Sequence, residues 1–202
     1  MNIDLLAALV TFCAVTLFTP GPNNLMLMTS GLNFGARRTR PHLFGVALGF
    51  AFMVLLVGLG AGRIFAAYPA AYTLLKYVGA AYLLYLAWEI AKSGPIETRE
   101  AVVGRPMTFL QAAAFQWINP KAWVMAVGGV TTYAAIAVFP WNAAVMAALF
   151  GALGLLSSGA WVLFGQGLRR VLTSPRAVRV FNWTMAVLLV ASLYPVLGDI
   201  RP

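Results

Sequence analysis

Two short stretches hold the residue types that could do chemistry: Thr19-Pro20-Gly21-Pro22-Asn23-Asn24, and Gln116-Trp117-Ile118-Asn119-Pro120-Lys121. Each sets backbone-breaking residues beside amide side chains, and the second ends on a lysine. The chemistry they offer is reversible binding. Amides, a cation and the N–H groups at a helix N-terminus suit a carboxylate or another anion. Covalent catalysis has no matching set: H-E-x-x-H, G-x-S-x-G and paired carboxylates are missing, and Ser157 with Ser158 has no histidine in its run. One histidine, His42, and one cysteine, Cys13, leave no ligand set for a metal and no disulfide. The chain is therefore expected to be neither an enzyme nor the holder of a cofactor or metal.

Both stretches should interrupt a helix. Proline lacks a backbone donor and clashes with the preceding turn, the residue before it is pushed towards extended geometry, and glycine tolerates other backbone angles. Each stretch also encodes a restart. Asn119 is placed to cap a helix whose first residue is Pro120, and Pro22 with Asn23 could do the same in the first stretch. Expected site residues are thus Pro20, Gly21, Pro22, Asn23, Asn24, Gln116, Asn119, Pro120 and Lys121. Lys121 reads as a counter-charge for a substrate carboxylate, as part of a proton-linked gate, or as a capping or snorkelling lysine. Gln116 either bonds substrate or ties two helices together.

The elements that must position these residues follow from composition. The 202 residues are 61% hydrophobic and only 9% charged, with a mean hydropathy of +0.84, whereas soluble domains are about a quarter charged. The solvent is a bilayer. Apolar runs predict six spans near Asp4 to Ser30, Leu43 to Phe65, Pro69 to Ile90, Met107 to Tyr133, Phe139 to Gly165 and Ala177 to Leu197. The first basic residue is Arg37, so the leading run lacks the basic start of a signal peptide and is expected to stay as a span. Net charge is +9, yet the lysines and arginines sit between apolar runs rather than on a basic face, which argues against nucleic acid as a partner. Ten of the fourteen fall in odd-numbered loops: Arg37, Arg38, Arg40; Lys92, Arg99, Arg105; Arg169, Arg170, Arg176, Arg179. The positive-inside rule then places odd loops in the cytoplasm and both termini outside.

Pro20 falls 15 residues after Leu5 and Asn119 falls 12 after Met107, which at about 1.5 Å per residue is roughly 18 to 22 Å into the membrane. Freed peptide groups at that depth need protein or water, so a cavity is expected there. Spans one and four run in opposite directions, the arrangement of an inverted 3+3 repeat. The expected fold is one all-α transmembrane domain over 1–202, with a first repeat about 1–91, a cytoplasmic loop about 92–106 and a second repeat about 107–202. Helices 1 and 4 are broken near mid-membrane. Small residues four apart, Gly45/Gly49, Gly58/Gly62 and Ala147/Gly151, predict close helix contacts. His42, beside the Arg37 to Arg40 loop, is expected at the interface, with Lys76 and Glu89 snorkelling to opposite ends of span three.

The chain resembles the LysE/RhtB family of amino-acid exporters along its full length. The likeness rests on TPGPNNLMLMTSGLNFGARR from Thr19 to Arg38, GVALGF from Gly45 to Phe50, GAAYLLYLAW from Gly79 to Trp88 and FQWINPKAW from Phe115 to Trp123. It implies a bacterial cytoplasmic-membrane protein that expels amino acids or close derivatives, driven by exchange for protons. Membrane lipid and a small zwitterionic substrate are then the expected partners, and a homo-oligomer is compatible with it. The acids Asp4, Glu89, Glu97, Glu100 and Asp199 all lie away from the two breaks, which disfavours strongly cationic substrates such as lysine. Efflux of a cation on the same fold, or an intramembrane enzyme, are the alternative readings.

Overall fold

A computed structural model of the protein describes residues 3–61, 67, 69–92, 105–172 and 174–192, all in helices, turns and short connections. Among the described residues seven α-helices follow in order: α1 Ile3–Phe18, α2 Pro22–Leu56, α3 Pro69–Lys92, α4 Phe109–Phe115, α5 Pro120–Thr132, α6 Trp141–Val171 and α7 Pro175–Ala191. The Arg99 loop position, Arg63, Glu97, Glu100, Asp199 and Arg201 lie outside the described residues, as does the Lys76 side chain.

The polarity of the molecule is reversed relative to a water-soluble domain. Asn24, Asn33, Thr39, Gln116, Asn119, Ser157 and Asn182 are buried, while Leu110, Val124, Leu156, Leu163 and Val187 face outward. Large apolar side chains spread over the whole surface would be an aggregation hazard in water, and are what lipid solvates. The helix-borne hydroxyls find partners inside their own helices. Thr11 and Thr16 donate to the carbonyls of Ala7 and Phe12, at 2.9 and 2.7 Å, so neither exposes an unbonded polar group to an apolar solvent.

Helix α2 is two arms. Gly35 adopts φ 78° and ψ 163°, a region open only to glycine. The chain reverses there, since Ser30 and Thr39 share a 3.0 Å hydrogen bond across nine residues that a straight helix would hold about 13 Å apart. The neighbours agree. Ser157 bonds Leu17 just before the first arm, Pro22–Phe34, and Gln166 bonds Ala36 just after it; going up the second arm, Ala36–Leu56, Ala47 faces Gly154 and Ala51 faces Gly151. The first arm is thus parallel to α6 and the second antiparallel to it. The sequence predicts a loop at Arg37 to Arg40 between spans ending at Ser30 and starting at Leu43; the structure instead continues both helices to either side of a one-residue turn. Glycine's positive φ makes a longer connection unnecessary.

Glycines then set the helix spacing. A Cβ on Gly45 or Gly49 would collide with Phe109 and Ala113 of α4, one on Gly58 with Ala143 of α6, and one on Gly79 of α3 with the Ile118 carbonyl. Gly31 and Gly165 lie against the backbones of Val162 and Met28, so α2 and α6 touch main chain to main chain. Without a hydrophobic drive between helices in lipid, such close packing is a principal source of association. Gly62 falls outside the described residues.

Gly35→Ala is expected to destabilise the detergent-solubilised protein by about 1–3 kcal/mol, purely through its backbone angle, because a Cβ there has room, its nearest atom being 3.8 Å away. Gly159→Ala, where a Cβ meets nothing within 4 Å, is the control. Thermal unfolding should lower the midpoint of the first variant and not of the second.

Candidate functional site

Helix α1 ends at Phe18 because Pro20 supplies no N–H and Thr19 cannot stay helical before it. Gly21 is extended, with φ −173° and ψ 179°, and Pro22 opens α2 as its first residue. The interruption leaves the last carbonyls of α1 without helical donors. Side chains provide them. Asn24 Nδ2 donates to the carbonyls of Leu17 and Thr19, at 2.8 and 2.9 Å. Ser157 of α6 donates its hydroxyl to Leu17 at 2.8 Å. Lys121 Nζ, from the other interrupted stretch, donates to Thr19 and, at 3.4 Å, to Pro20.

The second interruption differs in detail. Gln116–Ile118 tighten into a 3-10 turn, and Asn119 then turns extended at φ −85° and ψ 110°. Asn119 Oδ1 accepts the Lys121 N–H at 3.1 Å, capping α5, with Pro120 at its start. Asn23 and Gln116 exchange two amide hydrogen bonds, 2.8 and 3.2 Å, and Gln116 also donates to the Ala112 carbonyl at 2.9 Å. Gln116 therefore ties two helices, one of the two roles open to it in the sequence.

The two stretches meet head to tail. Tyr133 reaches the Ala8 carbonyl, Gly129 packs on Phe12, Lys121 holds Thr19, Gln116 pairs with Asn23, and Ala112 clusters with Leu27. One segment descends in number as the other climbs. The N-termini of α2 and α5 consequently open towards the same small space, a cavity of about 40 Å³. Its polar lining is Asn23, Asn24, Asn119, Lys121, Ser157 and Ser158, and Val46, Ala47, Phe50 and Met125 make the apolar side. An engineered apolar cavity of about 150 Å³ takes benzene, so this space is narrow beside a small ligand. Lys121 fills it: a Cβ at Gly21 would sit 2.7 Å from Lys121 Cδ, which explains glycine there.

Of the expected site residues, Gly21, Asn23, Asn24, Asn119 and Lys121 line this cavity, Gln116 stands behind Asn23, and Pro20, Pro22 and Pro120 shape the backbone around it. Ser157 and Ser158 belong to it as well. In sequence they are two serines in a long apolar run, and nothing in that run points across to Leu17. His42, expected at the interface, is instead buried at 2% exposure. Glu89 is half-exposed and pairs with Lys92 at 3.3 Å, and Lys92 rests 4.8 Å above the Trp88 ring.

Residues 14–192 match the family of LysE type translocators. The chain belongs to that family. Relatives of this translocator include the cysteine/O-acetylserine efflux proteins of Escherichia coli strain K12 and of Shigella sonnei, each 31% identical over 195 residues, covering 94% of this chain and 96% of theirs. That of Shigella flexneri serotype 5b is 31% identical over 191 residues, covering 92% and 94%. No solved structure matches the chain. The translocator is accordingly an all-helical transmembrane transport protein.

A double-mutant cycle tests the amide pair. Asn23→Leu leaves the buried Gln116 Oε1 without its donor, and Gln116→Leu leaves the half-buried Asn23 amide without its partner; each should cost about 1–3 kcal/mol. The double variant should recover much of that loss, read as a thermal midpoint nearer to wild type than the sum of the singles predicts.

Proposed function

We propose that this translocator is a secondary active exporter of zwitterionic amino acids or close derivatives, with cysteine and O-acetylserine as the first candidates. The last point is carried over from the relatives' names. The observation that carries the reading is the position of Lys121: a cation supplied by one interrupted segment and resting on the Thr19 and Pro20 carbonyls of the other. A lysine deep in a bilayer costs about 2.5–3.5 kcal/mol and is kept where it has a task.

The proposed cycle follows from that contact. Carbonyl oxygens carry only partial charge, so an arriving carboxylate competes for the ammonium, and the N-termini of α2 and α5 contribute positive dipole ends and N–H donors beside it. Asn23 and Asn24 bond the remaining polar groups. Moving Lys121 from the Thr19 carbonyl to substrate unlatches the two segments and enlarges the small cavity. Binding thereby becomes linked to rearrangement.

Several features support placing this cycle in an inverted 3+3 repeat. The Thr19–Gly21 interruption lies about midway between Ile3 and Phe34, and the two interrupted segments run antiparallel with their gaps in contact. The six passes are 3–34, 36–61, 69–92, 109–132, 141–171 and 175–191, with the breaks near mid-membrane, in a bacterial inner membrane. The odd loops face the cytoplasm and both termini face outward. The two halves rock about the central site, in exchange for protons.

Release of amino acids from dipeptide-loaded cells, screened with and without the protein, tests the reading. Lys121→Ala should slow release of the favoured amino acid about 10- to 100-fold, the worth of one charge-assisted hydrogen bond, at equal membrane abundance. Release that is unaltered in Lys121→Ala removes that residue from the mechanism; no amino acid released above background removes the function.

A further inference from the structure

A second and larger cavity, about 520 Å³, opens between the first arm of α2, the C-terminal half of α3 and the segment that starts α4. Asn24 lines the central cavity and Asn33 this one; nine residues apart on the same arm, they stand about 13 Å from each other along its axis. It sits at the Gly35 end of the arm, beside Arg105 and Lys92.

Its lining holds an unusual concentration of unmet hydrogen-bonding capacity. Among the described residues, four buried side-chain atoms have no partner: Thr29 Oγ1, Asn33 Oδ1, and both ring nitrogens of His42. All three residues line this one cavity, and they are 4%, 3% and 2% exposed. They come from both sides of the Gly35 turn, which brings them together. A buried polar atom left unbonded is destabilising, and three apolar residues would have packed here without that penalty. Native structures keep such groups where something else bonds them.

The donor and acceptor pattern limits what that is. A neutral imidazole offers one donor and one acceptor, the Thr29 hydroxyl offers both, and Asn33 Oδ1 accepts. Arg105 adds a fixed cation at the rim, and Glu89 an acid beside Lys92. Donors and a cation face a carboxylate, while amide and carboxylate oxygens face an ammonium. At 520 Å³ the space admits a small metabolite together with water.

We propose that this cavity is a second binding site, for a small α-amino-acid zwitterion, loaded before the central site and separated from it by one arm of α2. The Thr29 hydroxyl and a His42 N–H, with Arg105, hold the carboxylate. Asn33 Oδ1 accepts from the ammonium. The identity of the ligand rests on the amino-acid export reading; the existence of the site rests on the unmet groups. The first arm of α2 then presents amide side chains to substrate at both stations, Asn33 first and Asn23 with Asn24 after it.

Equilibrium binding of radiolabelled O-acetyl-L-serine and L-serine to full-length protein in lipid nanodiscs tests this, with thermal unfolding of each variant alongside. Thr29→Val, which keeps shape, and His42→Phe should each weaken binding about tenfold, the worth of one hydrogen bond. Their unfolding midpoints should be equal to wild type or higher, since an unbonded group is gone. His42→Gln, which retains a donor and an acceptor, should recover most of the affinity. Lys121→Met should leave this site occupied. Wild-type affinity in both Thr29→Val and His42→Phe overturns the proposal and leaves a cavity that holds water alone, as does lower stability with affinity intact. Wild-type protein that binds neither probe overturns it as well. Binding that follows these variants in a protein that exports no amino acid keeps the site and sinks the transport reading, whereas export that ignores them keeps the transport reading and sinks the site.

Discussion

Carbonyl oxygens stranded at the end of α1 govern this molecule. A helix that ends among apolar groups must bond its last carbonyls to other protein groups or to water. The chain bonds them with Asn24 from the following turn, Ser157 from α6 and Lys121 from the other interrupted segment. Each donor belongs to a different part of the sequence. Satisfying one gap therefore fixes the relative position of three helices, and the spot where they converge is the polar cavity.

That constraint explains the pattern of small residues around it. Helices can deliver short donors such as serine to a neighbouring backbone only if the backbones approach, and Gly31 and Gly165 allow α2 and α6 to do so. Gly45 and Gly49 bring α4 against the second arm, which supports the Gln116 side of the amide pair. Bulk is kept outside, where lipid accepts it. Packing and polar bonding are thus one arrangement rather than two, and loosening either would release the other.

The two cavities differ in what their polar groups are doing. Around the central one, amides, hydroxyl and ammonium are engaged with each other and with backbone, so the space is small and latched. Around the second, hydrogen-bonding atoms are buried and idle. In the proposed export cycle, a latched set of groups and an idle one along the same arm of α2 would serve a stepwise passage, since a solute moves on only where the next set of bonds is made as the last is broken.

The sequence by itself determined that the chain lives in lipid, because its few charges sit between apolar runs, and that the backbone is interrupted at Thr19–Gly21 and again just before Pro120, because proline and glycine act through local geometry. Asn119 as a cap and Pro120 as a first helical residue were legible for the same reason. That the chain turns back between the first two apolar runs was legible too; that it does so at the single residue Gly35 was not, since one glycine among helix-formers carries no signal of its sign of φ, and three arginines after it read as a loop. Nor could sequence tell that Lys121 rests on Thr19, that Asn23 pairs with Gln116, or that Ser157 reaches Leu17. Those contacts cross 102, 93 and 140 residues, and only the packing of glycine-lined helices decides which distant donor meets which stranded carbonyl. Asn33 and His42 likewise share a cavity because the turn at Gly35 is tight enough to bury both side chains against one another's helices, which packing decides and residue spacing does not.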